Sequence, residues 1–359
     1  GRVQLADQGF QAAAAAAQRL GRPGPAGEAL AKLAEVRLAL ALPKPAEQAL
    51  DVAEKLLQQA DHGRSLARIA LLRAEASILD GEVQPALTLL KQGVDALRSL
   101  GDAGHTALGL VRLGRVRYEL GDREAGIAAL DEAIRSADAS GDPRPSAAAR
   151  MARAFVHAEQ DQLDAAFALL NQAAQAFQRA RMPVHIVEVA AAGLQRRHGN
   201  PGEAEKRLRA MADAFKKGGA AIQWADAWQE VGRCLLDQGK FTDAGHVLQE
   251  VVDIRTRARD RFALVRLHED LAQAVTGQGD HARAVAELAR ARRFAEKVGM
   301  AGHLGRIDAA LAQARGKLDA LPEGDPAQVV AEAQAEVDEL EARWANPAQP
   351  AETASKQVH

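Results

Sequence analysis

The chain has 359 residues, enough for two ordinary domains or for one elongated array of repeats. Hydrophobic residues make up 47% of it but aromatic residues only 3%, and this Ala- and Leu-rich composition favours close-packed helices over sheets. The formal net charge of −2 gives the whole chain no attraction to nucleic acid or to an anionic membrane.

The single cysteine and the lack of long apolar runs exclude several further classes of protein. Cys234 is the single cysteine, so an intrachain disulfide and a cysteine-rich metal site are both ruled out. No apolar run reaches the roughly 18–20 residues that span a bilayer, and no basic stretch precedes the Ala tract at 12–17 as in a signal peptide. Arg is far commoner than Lys, a bias typical of GC-rich bacterial genomes. We expect a soluble bacterial protein of the cytoplasm.

The first predicted element is a helix at 1–20 that has an apolar helical pattern but no partner helix before it. The Pro- and Gly-rich stretch at 21–27 ends this helix. Seven helical hairpins follow over 26–302. The stretch "LGRVRYELGDREAGIAALDEAI" (113–134) is typical of them, with a helix, a Gly-Asp turn and a second helix.

Four columns of residues define the repeat, and successive turns are 40 residues apart except for one step of 38. The turn column is Gly81, Gly121, Asp161, Gly199, Gly239 and Gly279. A small residue recurs in the first helix, at Ala34, Ala74, Gly114, Ala154, Ala192, Gly232 and Ala272. Another recurs in the second helix, at Ala46, Ala86, Gly126, Ala166, Ala204, Ala244 and Ala284. Four residues later comes an unbroken column of Leu50, Leu90, Leu130, Leu170, Leu208, Leu248 and Leu288.

Close packing of helices explains the two small-residue columns and the Leu column. Two antiparallel helices approach closely only where small residues meet, and a Leu then fills the space beside the contact. One hairpin cannot bury both of its apolar faces, so it stacks on the next hairpin.

These columns resemble the tetratricopeptide repeat (TPR). The sixth copy matches the family pattern best, with Trp228, Val231, Gly232, Gly239, Phe241, Ala244 and Leu248 in the expected places. The third copy departs from it with Gly126 in place of Ala, and the fourth with Asp161 in place of the turn Gly. The 40-residue unit is similar to the extended variants in kinesin light chains and in MalT-type bacterial regulators. The resemblance implies an all-α fold, a right-handed α-solenoid of antiparallel helix pairs wound into a TPR-like superhelix.

The register of the repeat explains the unpaired first helix. Ala6, Phe10 and Ala13 lie 40 residues before Ala46, Leu50 and Ala53, so residues 1–20 fit the second helix of a truncated repeat. That helix is either a natural N-terminal cap or part of a repeat that continues in a longer parent protein. The in-register fit and the absence of an initial Met favour the second alternative.

The pattern loosens after residue 302. Residues 303–344 are predicted to form an atypical capping pair of helices, separated by the break "PEGDP" at 322–326. The polar, Pro-containing segment at 345–359 is predicted to be a disordered tail.

No motif for chemistry is present. The sequence lacks a His-Glu-x-x-His pair, a phosphate-binding Gly-rich loop and a Gly-x-Ser-x-Gly elbow, so we expect no catalytic residues, no cofactor and no metal site. His268 precedes two acids and is interpreted as a packed or half-exposed histidine, with a metal or acid–base role as the alternative. Cys234 is interpreted as a buried structural thiol.

Nucleic-acid binding is the less favoured interpretation of two basic runs. RNA readers built from helical repeats need basic stripes and stacking aromatics. The runs at 207–217 and 255–262 are basic but fall on second helices, on the convex side in the resembled family. We expect both runs to be solvated surface.

In TPR proteins the first helices line a concave groove that takes a peptide or a partner helix. The candidate groove residues lie in copies three to seven: Val111, Arg115, Tyr118, Met151, Phe155, Val189, Arg196, Arg197, Arg233 and Arg266. Apolar side chains beside arginines suggest a ligand with an apolar stretch and an acidic or C-terminal carboxylate group. In the alternative, these arginines pair with acids of neighbouring repeats while Met151 and Phe155 belong to the core.

Three classes of function stay open from the sequence. The first is a protein-binding adaptor or scaffold. The second is a sensor or regulatory module of a larger bacterial signalling or transcriptional regulator. An enzyme is the least favoured, because it would need a site built across repeats that no local spacing shows.

Overall fold

The computed structural model describes residues 2–182, 184–320 and 325–345, and every regular element in these ranges is an α-helix. From α1 to α16, consecutive helices are antiparallel and joined by short turns. In chain order they are α1 (Arg2–Arg19), α2 (Pro23–Ala39), α3 (Pro43–Gln59), α4 (Gly63–Leu79), α5 (Val83–Ser99), α6 (Ala103–Leu120), α7 (Arg123–Ser140), α8 (Pro143–Glu159) and α9 (Leu163–Arg179). The second half consists of α10 (His185–Arg197), α11 (Pro201–Gly218), α12 (Ala221–Asp237), α13 (Phe241–Arg257), α14 (Arg261–Gly277), α15 (His281–Val298), α16 (Ala301–Asp319) and α17 (Pro326–Ala345).

A residue with positive φ lies in each turn from α1 to α16, and these residues recur every 20 positions. They are Gly21, Ala41, Asp61, Gly81, Gly101, Gly121, Gly141, Asp161, Arg181, Gly199, Gly219, Gly239, Arg259, Gly279 and Gly299. At Gly81 the amide of the following Glu82 donates to the carbonyl of Ser77 at 2.8 Å, which is the Schellman pattern of a left-handed helix end. The turn within a repeat and the turn between repeats are therefore alike, and the 40-residue unit is two half-units of 20.

One interval is short, and it locates the irregular repeat. Arg181 and Gly199 are 18 positions apart, and the helix between them, α10, has 13 residues where its neighbours have 17 or 18. The two residues missing from the 38-residue step are therefore missing from the segment that holds α10.

The two small-residue columns and the Leu column are buried, which confirms the predicted register of the repeat. In the Leu column the most exposed member is Leu288 at 6%, and every residue of both small columns is buried. The first helices also touch one another along the array, α6 with α8, α8 with α10, α10 with α12 and α12 with α14. They therefore line the inner side of an all-α, TPR-like solenoid.

The two ends of the array are less regular. Helix α1 packs on α2 through buried Ala14 and half-buried Phe10, while Ala6 is half-buried and Ala13 is exposed. Helix α17 packs mainly on α15 and meets α16 at only a few residues. The predicted tail at 345–359 lies outside the described residues except for Ala345, which ends α17.

The solenoid closes on itself. The ends of α4 and α6 meet the starts of α14 and α16 in a set of contacts that we call the closing contact: Leu79, Asp80, Glu119 and Gly121 against Arg259, Arg261, Arg266, Gly302 and His303. Arg261 donates to the carbonyl oxygen of Leu79 at 2.6 Å, across 182 positions of the chain. Arg261 also donates to both carboxylate oxygens of Glu341 on α17.

The closing contact overturns one expectation. Three of the four arginines in the basic run at 255–262 are not solvated, because Arg255, Arg259 and Arg261 are only 4%, 9% and 2% exposed, while Arg257 is exposed as expected. Each buried guanidinium forms an ion pair, with Asp226, Asp80 and Glu341 respectively. Burial of a charge is costly unless it is paired, and the pairs of Arg259 and Arg261 form where distant parts of the superhelix meet. The run at 207–217 is mostly exposed, as expected.

No helix in the described part of the chain is both long enough and apolar enough to cross a bilayer.

Candidate functional site

The inner side of the solenoid encloses an open cavity of about 600 Å³. Its walls come mainly from α6, α8, α10, α12 and α14, and second helices contribute Leu170, Phe177, Phe215 and Arg255. The volume is within the range of ligand sites in proteins.

Nine of the ten predicted groove residues line this cavity: Val111, Arg115, Met151, Phe155, Val189, Arg196, Arg197, Arg233 and Arg266. The tenth, Tyr118, lies next to it in a smaller cavity that shares Phe155, Glu159 and Arg266 with the larger one. Burial raises the pKa of the Tyr118 hydroxyl. The first-helix positions chosen from the sequence are thus brought together around one space.

The apolar part of the wall centres on two exposed side chains. Phe155 on α8 is 41% exposed and Ile186 on α10 is 48% exposed, whereas Val111 and Val189 are nearly buried. Met151 is half-buried and packs on the hydrophobic cluster between α8 and α10. The alternative that places Met151 and Phe155 in the core therefore holds in part for Met151 and fails for Phe155.

Sequence reasoning missed Ile186 as a wall residue. It lies three positions before Val189 on the same helix, and residues at this spacing share a helix face. The spacing from Val189 was therefore a signal in the sequence from which Ile186 could have been found.

Three of the groove arginines are engaged by acids of neighbouring helices. Arg196 donates to Asp237 at 2.7 Å. Arg233 donates to Asp270 at 2.9 Å and to Glu230 at 2.5 Å. Arg266 donates to Glu119 in the closing contact. For these three, the alternative of pairing across the groove describes what the structure contains.

The acids in these pairs differ in their pKa. Burial alone would raise the pKa of Glu230, but the charges of Arg233 and Arg196 outweigh it and lower the pKa. Burial dominates at Asp270, whose pKa is raised although Arg233 is nearby. The wall from α10 to α14 is therefore a half-buried ladder of alternating charges.

The other two groove arginines are less engaged. Arg115 on α6 is exposed in the cavity and forms no ion pair with any carboxylate in the described ranges. Arg197 at the end of α10 lies 3.8 Å from both Glu159 and Asp161, beyond hydrogen-bond distance.

The residues considered for chemistry lie away from this cavity or are buried. His268 is 6% exposed, its Nδ1 lies 2.7 Å from Glu287, and its ring stacks on Phe294. This is the packed histidine that the sequence predicts. Cys234 is fully buried, and burial raises the pKa of its thiol to about 12. In the ranges that the structure covers, no group of three or more His, Cys, Asp or Glu residues is arranged to hold a metal ion.

Comparison with known proteins supports the fold. No protein-family model and no curated protein matches the chain. Among solved structures, the chain is similar to a Rap protein complexed with Competence and Sporulation Factor, with a TM-score of 0.59 and 13% identity over 96% of this chain and 99% of that one.

Two weaker matches are a Podosopora anserina putative kinesin light chain with nearly identical TPR-like repeats and a circular tandem repeat protein. The first has a TM-score of 0.31 and 15% identity over 65% of this chain and 96% of that one. The second has a TM-score of 0.18 and 15% identity over 95% and 85%. The chain has a TPR-like helical-repeat fold.

Proposed function

We propose that this chain is a protein-interaction scaffold whose central cavity binds a peptide or a partner segment. The ligand has an apolar stretch and an acidic or C-terminal carboxylate group. The observation that carries the proposal is the exposure of Phe155 and Ile186 on the concave side, next to arginines. Catalysis has no part in the proposed function, and the composition suggests the cytoplasm of a bacterium as its location.

The physical reason is that these two apolar side chains remain partly exposed to water. A soluble protein gains about 25 cal/mol for each Å² of apolar surface that it removes from water. Phe155 and Ile186 are left half in water although they belong to helices whose other apolar residues are buried or half-buried. A ligand that covers them in a concave site recovers this burial, whereas scattered apolar residues on a convex surface need no such explanation.

The fold is compatible with this role. The Rap protein, whose fold is similar over nearly the whole of both chains, was solved in complex with a factor that it binds. Stacked helical hairpins create extended concave surfaces of the kind that such complexes use.

An array of peptides immobilised through their N-termini tests the proposal. We expect the wild-type chain to select peptides with an apolar stretch, and Phe155→Ala to weaken that binding about tenfold or more, since an aromatic anchor is lost. Val52→Ala is the matched control, because Val52 on α3 is 43% exposed but lies outside the cavity. Equal loss in both variants, or no selection by the wild type, would contradict the proposal.

A sensor or regulatory module is the second candidate, favoured by the double position of Arg266. This residue lines the cavity and also pairs with Glu119 in the closing contact. A ligand that covers Phe155, whose ring lies 5.8 Å from the Arg266 guanidinium, would therefore change how firmly the superhelix is closed. Small-angle scattering with and without a selected peptide tests this candidate: a change in the radius of gyration supports it, and an unchanged radius contradicts it.

A further inference from the structure

With the proposed function as a basis, we infer that Arg115 and Arg197 receive the carboxylate of the ligand. Arg196, Arg233 and Arg266 line the same cavity but serve the internal charge ladder and the closing contact instead. The ligand class is a peptide segment with an apolar side chain next to a carboxylate, which comes either from the C-terminus or from an Asp or Glu side chain.

Arg196, Arg233 and Arg266 are already paired with carboxylates of this chain. Each donates to an acid on another helix, and Glu230 and Asp270 are half-buried in the wall. A ligand that took Arg233 or Arg266 would leave a half-buried acid unpaired, and one that took Arg196 would have to break its pairs with Asp237 and Glu230, both of which oppose binding. The three arginines are therefore poor receivers of an outside anion.

Arg115 is left unpaired by the closing contact. Glu119 lies four residues further along α6, at the spacing where an Arg and a Glu on one helix usually pair. Glu119 is engaged elsewhere, because it accepts from Arg266 and lies 3.5 Å from Nε2 of His303. The guanidinium of Arg115 remains exposed in the cavity with its donors unused by side chains of the described residues.

Arg197 is held only loosely. Its guanidinium is 3.8 Å from Glu159 and from Asp161, and Asp161 has a side chain 85% exposed to water. Pairs of this length near water contribute little, so a carboxylate that approaches to hydrogen-bond distance competes with them successfully. A guanidinium offers a planar fork that matches a carboxylate.

The two arginines lie on either side of the apolar wall. Arg115 is on α6 and Arg197 on α10, and the helix between them, α8, carries Met151 and Phe155. A segment that covers Phe155 with an apolar side chain therefore brings its adjacent carboxylate between two available guanidinium groups. The arrangement selects for the combination of both features.

The test compares three forms of each peptide on the N-terminally immobilised array. One form ends in a free carboxylate, one ends in a carboxamide, and one ends in a carboxamide with an Asp added next to the apolar stretch. We expect the wild type to prefer one or both carboxylate forms over the plain carboxamide by about tenfold. Which of the two is preferred distinguishes a C-terminal carboxylate from an acidic side chain.

Four variants locate the preference. Arg115→Gln with Arg197→Gln is expected to abolish the carboxylate preference and to keep the binding of carboxamide peptides. Arg196→Gln is expected to keep the preference, as is Arg135→Gln, an exposed arginine on α7 outside the cavity. Glu159→Gln removes a competing acid from Arg197, so it is expected to increase the preference.

The outcomes separate the two levels of the proposal. A folded wild type that binds no peptide in any form overturns the proposed function and the inference together. Binding that is equal for carboxylate and carboxamide forms overturns the inference alone, as does a preference that survives the double variant or is lost with Arg196→Gln. Melting temperatures well above the assay temperature in all four variants, Arg196→Gln included, show that a lost preference is not a loss of folding.

Discussion

The guanidinium of Arg266 donates a hydrogen bond to the carboxylate of Glu119, which lies 147 positions earlier in the chain. The same guanidinium lies 5.8 Å above the ring of Phe155. One side chain therefore joins the closing contact of the superhelix to the apolar wall of the cavity. We therefore expect the stability of the closed form and the occupancy of the cavity to be coupled through this residue.

Glu119→Gln tests the closing contact. The substitution removes the charge that Arg266 and His303 face and leaves both in a half-buried place. The expected loss is about 2 kcal/mol, between the 0–1 kcal/mol of surface pairs and the 3–5 kcal/mol of fully buried ones. Urea unfolding measures the loss, and small-angle scattering is expected to show a larger radius of gyration. Glu250→Gln on exposed surface is the control and is expected to change neither value. A variant as stable and compact as the wild type would mean that the pair does not hold the turns together.

The closing contact also makes stability depend on pH. Burial alone would lower the pKa of His303, but hydrogen bonds with Glu119 and Glu269 outweigh it and raise the pKa above 6.5, despite the opposing charge of Arg306. Burial alone would raise the pKa of Glu119, yet Arg266 and His303 hold it at about 2 instead of 4.5. The stabilisation from His303 is complete below pH 6.5 and is lost as the pH rises through its raised pKa. That from Glu119 is complete above pH 4.5 and is lost as the pH falls towards 2.

Melting temperatures across the pH range check this assignment. The wild type is expected to lose stability on both sides of pH 4.5–6.5. In His303→Gln the loss on the alkaline side is expected to be smaller than in the wild type. If the alkaline limb is identical in the two proteins, another group is responsible for it.

Restoring the commonest residue of a column is expected to destabilise the third repeat. Gly126 stands where the other six copies have Ala, and a Cβ there would lie 2.9 Å from the carbonyl oxygen of Gly114 and from the amide of Tyr118. Both atoms belong to the backbone of α6, which cannot move away from the new Cβ without disturbing the packing of the hairpin. Gly126→Ala is therefore expected to cost about 1–3 kcal/mol.

Gly316→Ala on α16 is the matched control, because a Cβ there meets nothing within 4 Å. It is expected to stabilise the chain by about 0.5–1 kcal/mol, as Ala does in an open helix position. Thermal unfolding of the two variants compares them directly. A stabilised Gly126→Ala chain would show that α6 and α7 are further apart than these 2.9 Å distances indicate.

Cys234 is expected to resist thiol reagents while the chain is folded. It is fully buried, and its pKa of about 12 leaves almost no thiolate at pH 8. Labelling is expected to be at least about a hundredfold slower in buffer than in urea. Ser99→Cys in a Cys234→Ser background is the control, since Ser99 is exposed at the end of α5 and the new thiol is expected to label quickly in both conditions. Fast labelling of Cys234 in buffer would be inconsistent with its burial.

The sequence predicts the local part of this structure well because that part repeats. Ala46, Leu50 and their equivalents occupy the same contact in every hairpin, so one physical rule accounts for seven copies. Half-units of 20 residues are harder to see, because Ala41, Asp61, Arg181 and Arg259 take the left-handed conformation without being Gly. Their residue type carries no signal for it.

The closing contact could not be predicted from the repeat. It depends on the rotation that accumulates over many hairpins, and it joins residues such as Arg261 and Leu79, which are 182 positions apart. For the same reason the repeat pattern does not predict the burial of Arg259 and Arg261. The candidate cavity was predicted residue by residue, but the partners that distinguish Arg115 from Arg233 come from other helices and became visible only in three dimensions.

Photocrosslinking from the cavity wall tests the central claim most directly. A photoreactive phenylalanine derivative replaces Phe155 in one variant and Val52, which is equally exposed on α3, in the other. Peptides selected by the wild-type chain are then irradiated with each variant. We expect adducts from position 155 and none from position 52. Adducts from position 52 with none from position 155 would show that partners bind outside the cavity.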